Sequence, residues 1–125
     1  MKNWAKTMSD TIFAKIVSGE IPSEFVYEDE HCVAINDINP QAPTHVLVIP
    51  RKGIPMLSEA QPEDQQLLGH LMLAVGNITR QLGVSDAFRL IVNNGERAGM
   101  TVPHLHLHII AGRTLAEGAL AQGFD

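Results

Sequence analysis

The sequence predicts an α+β domain in which a five-stranded, mainly antiparallel sheet carries one short and one long helix. Three observations lead to this expectation. Five short segments have the composition of strands, one longer segment repeats apolar residues at helical spacing, and 125 residues is a length that fits a single domain. The hydrophobic fraction of 45% is that of a globular chain and excludes disorder over most of its length.

The chain should begin with a flexible extension over residues 1–9, followed by a single domain over residues 10–125. Asp10 is the predicted N-cap of the short helix. Apolar residues at positions 12, 13, 16 and 17 share one helical face, and Gly19 marks the end of the helix.

The strands and the long helix follow in order. Strand-like segments lie at 25–28, 32–35, 45–49, 88–92 and 104–110. Polar residues 29–31 favour a hairpin turn, and the prolines within 37–43 favour a loop. The long helix should begin at Pro62 and run through Gly83. Its apolar stripe consists of Leu67, Leu68, Leu71, Met72, Val75, Ile78 and Leu82.

Composition narrows the classes of partner and compartment. Nine basic residues against 14 acidic ones give a net charge of -5, so the basic footprint of a polymeric nucleic-acid binder is absent. The single Cys32 excludes an internal disulfide and any multi-cysteine zinc site. No apolar run reaches the roughly 18 residues of a membrane span, and residues 1–10 lack the apolar core of a signal peptide. We therefore expect a cytoplasmic protein with no membrane partner.

The most informative stretch is HLHLHII at 104–110, where His104, His106 and His108 alternate with apolar residues. On a strand these three imidazoles share one face. One possibility is a metal site, with His45 as a third ligand, because imidazole binds Zn and Cu well. The other is nucleophilic catalysis on phosphorus, in which one imidazole attacks and its neighbours and backbone N–H groups hold the phosphate oxygens.

These residues resemble the histidine-triad (HIT) superfamily. The resemblance extends over roughly residues 10–113, and its further motifs are DTIF at 10–13, EIP at 20–22, DINPQAPTH at 37–45 and LLGHL at 67–71. These are similar to the histidine triad nucleotide-binding (HINT-like) branch. The resemblance implies a HIT-type hydrolase or transferase that acts on purine nucleoside monophosphate derivatives and needs no cofactor.

The resemblance also implies residue roles. His106 would be the nucleophile, with His104 and His108 as supporting imidazoles and His45 beside the nucleophile. Asp37 would accept the ribose hydroxyl protons, although from the residues alone a turn is the favoured role for it. Ile38 would contact the base, and the rest of the apolar slot would be Ile12, Phe13, Ile16 and Ile35. The loop over the phosphate would comprise Asn93, Gly99, Met100 and Thr101, with Thr101 as a hydroxyl donor.

The expected reaction is hydrolysis of a purine nucleoside 5′-phosphoramidate through a nucleotidyl-histidine intermediate. Met100 and Thr101 stand where the branch usually has Gln-Ser, which keeps a dinucleoside polyphosphate hydrolase open as an alternative. A nucleotide-binding regulatory protein with little turnover and a zinc-binding protein also remain open. We further expect a homodimer whose sheet continues across a two-fold axis, because an open sheet has exposed edges and the long helix is unusually apolar.

Overall fold

A computed structural model describes residues 8–120 of the chain, and residues 1–7 and 121–125 lie outside the described part. Most of the expected N-terminal extension therefore falls outside it. Met8 and Ser9 belong to a helical turn, and Met8 is buried with its side chain against Gly53. No helix in the described residues is long and apolar enough to cross a membrane.

The fold is the predicted α+β arrangement of one sheet and two principal helices. In chain order these are α1 (Ile12–Ser18), β1 (Tyr27–Glu28), β2 (Cys32–Asn36), β3 (Thr44–Pro50), α2 (Gln65–Gln81), β4 (Phe88–Ile91) and β5 (Leu107–Ala111). The five strands form one sheet in the order β1-β2-β3-β5-β4. Every neighbouring pair is antiparallel.

The helix α1 begins one residue later than the sequence predicted. Thr11, not Asp10, is the N-cap, because its hydroxyl oxygen accepts a hydrogen bond from the N–H of Ala14 at 3.0 Å. Gly19 ends the helix in the left-handed conformation with φ 85°. The long helix also differs at its start, where Pro62–Asp64 forms a 3-10 turn before α2.

The strand β5 begins at Leu107, so His104 and His106 precede the regular ladder. The register pairs Val48 of β3 with Leu107, which would place Pro50 opposite Leu105. Proline has no N–H to continue the ladder, and the N–H of Leu105 instead donates to the carbonyl of Ile54. This hydrogen bond holds the loop before β5 against the segment that follows β3, outside the sheet.

The sheet separates two apolar clusters. On one face α2 packs over Cys32, Ala34, Val46, Val48, Leu105, Leu107 and Ile109. On the other face α1 packs over Val33, Ile35, Leu47 and Ile49. Because side chains alternate along a strand, His45 and His108 lie on the α1 face. This alternation decides which side of the sheet carries the histidines.

Candidate active site

A cavity of about 520 Å³ lies between α1, the ends of β2 and β3, and the loop before β5. Its walls include ten of the residues that the sequence assigned to the site. Three of them are Thr101, His106 and His108. The other seven are Ile12, Phe13, Ile16, Ile35, Asp37, Ile38 and His45. The fold thus brings together residues that are up to 96 positions apart, from Ile12 to His108.

The backbone holds His106 in one tautomer. Its Nδ1 atom lies 2.7 Å from the carbonyl oxygen of His104, which can only accept, so Nδ1 carries the proton. The lone pair is then on Nε2. Burial lowers the pKa of His106, against a smaller opposing effect of the His104 carbonyl. A neutral imidazole with a free Nε2 lone pair is the state that a nucleophile requires.

His45 and His108 form a chain of hydrogen bonds whose direction the backbone determines. The N–H of Gln41 donates to Nδ1 of His45 at 3.0 Å, so the proton of a neutral His45 is on Nε2. This Nε2 lies 2.9 Å from Nδ1 of His108, which must then accept. The proton of His108 is therefore on its Nε2, an atom that is buried without a hydrogen-bond partner among residues 8–120.

The unpartnered Nε2–H of His108 is a donor in a residue that lines the cavity. Burial is the main reason that the pKa of His108 falls to about 4, and the neighbouring His106 and His45 lower it further. An unsatisfied buried donor costs free energy unless a ligand supplies the acceptor. An oxygen of a bound phosphate or carboxylate would satisfy it.

The ring of His104 lies away from the cavity, unlike those of His106 and His108. It is fully buried and is not among the residues lining the cavity. Its Nε2 donates to the carbonyl of Pro50 at 2.9 Å, and its Nδ1 lies 3.3 Å from the hydroxyl of Thr11. His104 therefore ties α1 to the sheet with its ring, and it orients His106 with its backbone carbonyl.

The apolar side of the cavity combines buried and exposed residues. Phe13 meets the ring of His106 edge-on, with ring centroids 4.8 Å apart, so it also restrains the orientation of that imidazole. Ile38 is 101% exposed and Ile12 is 49% exposed, although large aliphatic side chains usually lie inside. Their exposure at the rim of a concave site fits a wall that a flat apolar ligand would cover.

Asp37 both forms the predicted turn and lines the cavity. Its Oδ1 accepts the N–H of Asn39 at 2.8 Å, and its Oδ2 lies 3.4 Å from Nε2 of His45. Its side chain is 19% exposed. A carboxylate has about four lone-pair sites, so acceptor capacity remains for a ligand.

The loop before β5 places its predicted residues at different locations. Thr101 lines the cavity and also borders a neighbouring one of about 560 Å³, to which Gly99 and Met100 belong. Asn93 lines neither cavity, and its Nδ2 is buried without a partner within the described residues. Met100 closes the loop instead, because its Sδ atom accepts the N–H of Gly95.

Sequence reasoning missed several residues that line the cavity. Leu47, Val102, Ile21, Pro22 and Ser23 contribute to its walls. Gln41 matters most, because its backbone N–H sets the proton position in His45. Gln41 lies in the DINPQAPTH motif, but backbone hydrogen bonding to a side chain four residues later has no residue-type signature.

Comparison with known proteins gives the same family throughout. The family described as HIT domain matches residues 18–115. An uncharacterised HIT-like protein of Synechocystis sp. is 58% identical over 104 residues, covering 83% of this chain and 91% of the relative. A second such protein, from Synechococcus elongatus, is 51% identical over 107 residues, covering 86% of this chain and 94% of the relative.

Solved structures show the same fold. A HIT family hydrolase from Legionella pneumophila has a TM-score of 0.83 at 37% identity, covering 86% of this chain and 97% of that one. A histidine triad protein from Clostridium difficile has a TM-score of 0.82 at 39% identity, covering 94% of this chain and 98% of that one. The predicted superfamily is confirmed, and the chain belongs to the HIT domain family.

Proposed function

We propose that the protein hydrolyses purine nucleoside 5′-phosphoramidates, in which adenosine monophosphate is joined to an amine through nitrogen. The observation that carries this proposal is the neutral imidazole of His106, whose Nδ1 proton is held by the His104 carbonyl and whose Nε2 is free to attack. The hydrolase named among the structural relatives supports a hydrolytic reaction.

The reaction proceeds in two displacements at phosphorus. The Nε2 lone pair of His106 forms a bond to phosphorus, and the phosphorus–nitrogen bond of the substrate breaks. The departing nitrogen takes up one proton and leaves as the amine. Water then attacks the nucleotidyl-histidine, one proton is released, and the nucleoside monophosphate leaves with the neutral imidazole restored.

The backbone carbonyl of His104 assists the first displacement. Once Nε2 is bonded to phosphorus, the ring carries a positive charge that is shared with the Nδ1–H. The hydrogen bond from Nδ1 to the His104 carbonyl is 2.7 Å long before attack, and it becomes charge-assisted when the ring becomes cationic. This contact stabilises the intermediate more than the resting enzyme, as catalysis requires.

Hydrogen-bond donors of the chain, and no cofactor, would stabilise the phosphate. The Nε2–H of His108 would donate to a nonbridging oxygen, and Thr101 offers a hydroxyl in the same cavity. We expect turnover to continue in the presence of a chelator. The apolar wall of Ile12, Ile38 and Phe13 suits a purine face, and the acceptor capacity of Asp37 suits a ribose.

The direct test compares adenosine 5′-phosphoramidate with diadenosine polyphosphates as substrates, with and without a chelator. The expected result is release of adenosine monophosphate chiefly from the phosphoramidate, with a nucleotidyl adduct seen by intact-protein mass spectrometry in an acid quench. Preference for the diadenosine compounds would replace the proposal with a dinucleoside polyphosphate hydrolase. Nucleotide binding without turnover of either substrate would indicate a regulatory binding protein.

A further inference from the structure

A second group of ligand-type side chains lies on the opposite face of the sheet from the cavity. Asp29 is in the turn between β1 and β2, Cys32 begins β2, and His70 is on α2. Cys32 belongs to the apolar cluster under α2, whereas the cavity opens on the α1 face. The group is therefore separate from the histidine triad.

The three side chains converge on one point. The Oδ2 atom of Asp29 is 2.7 Å from Nε2 of His70 and 3.7 Å from Sγ of Cys32. All three ligand atoms lie within 4.8 Å of one another. In a tetrahedral zinc site, bonds of about 2.0–2.3 Å place ligand atoms about 3.3–3.8 Å apart. A small outward movement of the half-exposed His70 ring would lengthen the distance between Asp29 Oδ2 and His70 Nε2 from 2.7 Å to that spacing.

Backbone contacts hold the carboxylate in position for such a site. The Oδ1 atom of Asp29 accepts the N–H groups of His31 at 2.8 Å and Cys32 at 2.9 Å, which turns Oδ2 toward Cys32 and His70. Tyr27 donates its hydroxyl to Oδ2, and Arg51 donates to the Asp29 carbonyl. Metal ligands commonly have this second layer of orienting hydrogen bonds.

The charge of the Asp29 carboxylate also fits a cation, whereas the Cys32 thiol has to lose its proton on binding. Partial burial opposes ionisation of Asp29, but the N–H of His31, the ring of His70 and the N–H of Cys32 outweigh it and hold the pKa of this carboxyl below its usual range. Burial, with Asp29 nearby, raises the pKa of the Cys32 thiol to about 12. The thiol thus keeps its proton until a cation displaces it.

We propose that Asp29, Cys32 and His70 bind one Zn²⁺-class transition-metal ion that ties the β1–β2 turn to α2. One thiolate, one imidazole and one carboxylate form a donor set that zinc and cobalt prefer over magnesium or calcium. His31 lies beside this group, with its ring centroid 4.6 Å from that of His70 and its side chain 48% exposed. Water or the His31 imidazole completes the site in the fourth position.

The test is titration of the full, metal-free chain with Co²⁺ and then with Zn²⁺. The expected result is one cobalt per chain with a near-ultraviolet thiolate-to-cobalt charge-transfer band, which one equivalent of zinc abolishes. Cys32→Ala should remove the band, and His70→Gln should weaken cobalt affinity at least tenfold. His45→Ala, which removes an imidazole from the Asp37–His45–His108 group, should leave the charge-transfer band and the cobalt affinity unchanged.

Proton release distinguishes this site from binding of metal to surface groups. Because the thiol must lose its proton, binding should release about one proton per cobalt at neutral pH, and the affinity should rise about tenfold per pH unit. Cobalt binding without a thiolate band, or binding that survives His70→Gln and is lost in His45→Ala, would overturn the proposal. If Cys32→Ala does not fold, as judged by circular dichroism, His70→Gln at the half-exposed position decides the question.

Discussion

The Nε2 atom of His45 lies 2.9 Å from Nδ1 of His108, and only one of these two nitrogens can carry the shared proton. The Gln41 N–H on the far side of His45 decides which one, so the pair forms a directed chain that ends in the Nε2–H of His108, a buried donor with no partner among residues 8–120. The imidazoles of His45, His104, His106 and His108 therefore have different hydrogen-bond environments, although the sequence presents them as similar residues.

The first prediction concerns the nucleophile. We expect His106→Ala to lower turnover by several orders of magnitude while adenosine monophosphate still binds, because the apolar wall and Asp37 remain. Steady-state rates and calorimetric binding measure the two properties separately. A variant that keeps more than about a tenth of the wild-type rate, a barrier change under about 1.4 kcal/mol, would contradict nucleophilic attack by His106.

The second prediction concerns the free donor of His108. His108→Ala should lower kcat about a hundredfold, the usual effect of removing one donor to a developing oxyanion, and should change KM much less. Gln41 acts on His45 through its backbone N–H, and its side chain donates only to the carbonyl of Asn39, so Gln41→Ala is the matched control and should retain nearly full activity. A hundredfold rise in KM with no change in kcat would place His108 in substrate binding alone.

The third prediction concerns recognition of the ribose by Asp37. Loss of one hydroxyl partner costs about 1–3 kcal/mol, so adenosine monophosphate should bind about 5- to 150-fold more tightly than its 2′-deoxy analogue. Asp37→Asn is the informative variant, because asparagine keeps the turn contact to the N–H of Asn39 but offers fewer acceptors. Its preference for ribose should fall. An unchanged preference would leave Asp37 as a turn residue.

The fourth prediction concerns stability as the pH changes. Burial lowers the pKa values of His45, His104, His106 and His108, the last from 6.5 to about 4. Below the unfolded value of about 6.5 the unfolded chain therefore binds more protons than the folded one. The free energy of unfolding should be greatest above that pH and should decrease as the pH falls toward 4. Urea denaturation at about pH 7.5 and pH 5 measures this effect.

The control for this prediction replaces one of the buried imidazoles. His108→Gln cannot take up a proton, so its free energy of unfolding should depend less on pH in this range than that of the wild type. Identical pH dependence in the two proteins would show that His108 does not contribute to the acid sensitivity.

The fifth prediction concerns assembly. The strand β4 is an edge of the sheet, and Phe88 on it is 36% exposed. On α2, Leu73 is 73% and Met72 51% exposed. We propose a homodimer that covers β4 and this part of α2. Light scattering should give about twice 13.6 kDa.

Leu73→Lys should shift the dimer toward a monomer. Leu57→Lys, at a residue that is 44% exposed outside this surface, is the matched control and should leave the mass unchanged. A monomer mass for the wild-type protein at micromolar concentration would exclude this dimer.

Element type and order could be predicted from local pattern. The stripe from Leu67 to Ile78 specified a helix, and the alternation around His45 and His108 specified strands with the histidines on one face. The boundaries were less predictable. The late start of β5 depends on which residue of β3 lies opposite Leu105, and that register is a property of the assembled sheet.

The site shows the same division between local and long-range information. Residue type and short spacing determined the alternating triad, and the resemblance to the HIT superfamily implied many of the residues that line the cavity. Only the tertiary structure turned His104 away from the cavity, gave His106 its protonated Nδ1 and left His108 with a free donor. The reason is physical: the proton position in an imidazole depends on which groups lie beside each ring nitrogen. The carbonyl of His104 and the N–H of Gln41 are near in sequence but reach these rings only through the folded backbone, whereas Pro50 lies beside His104, and His45 beside His108, from distant parts of the chain.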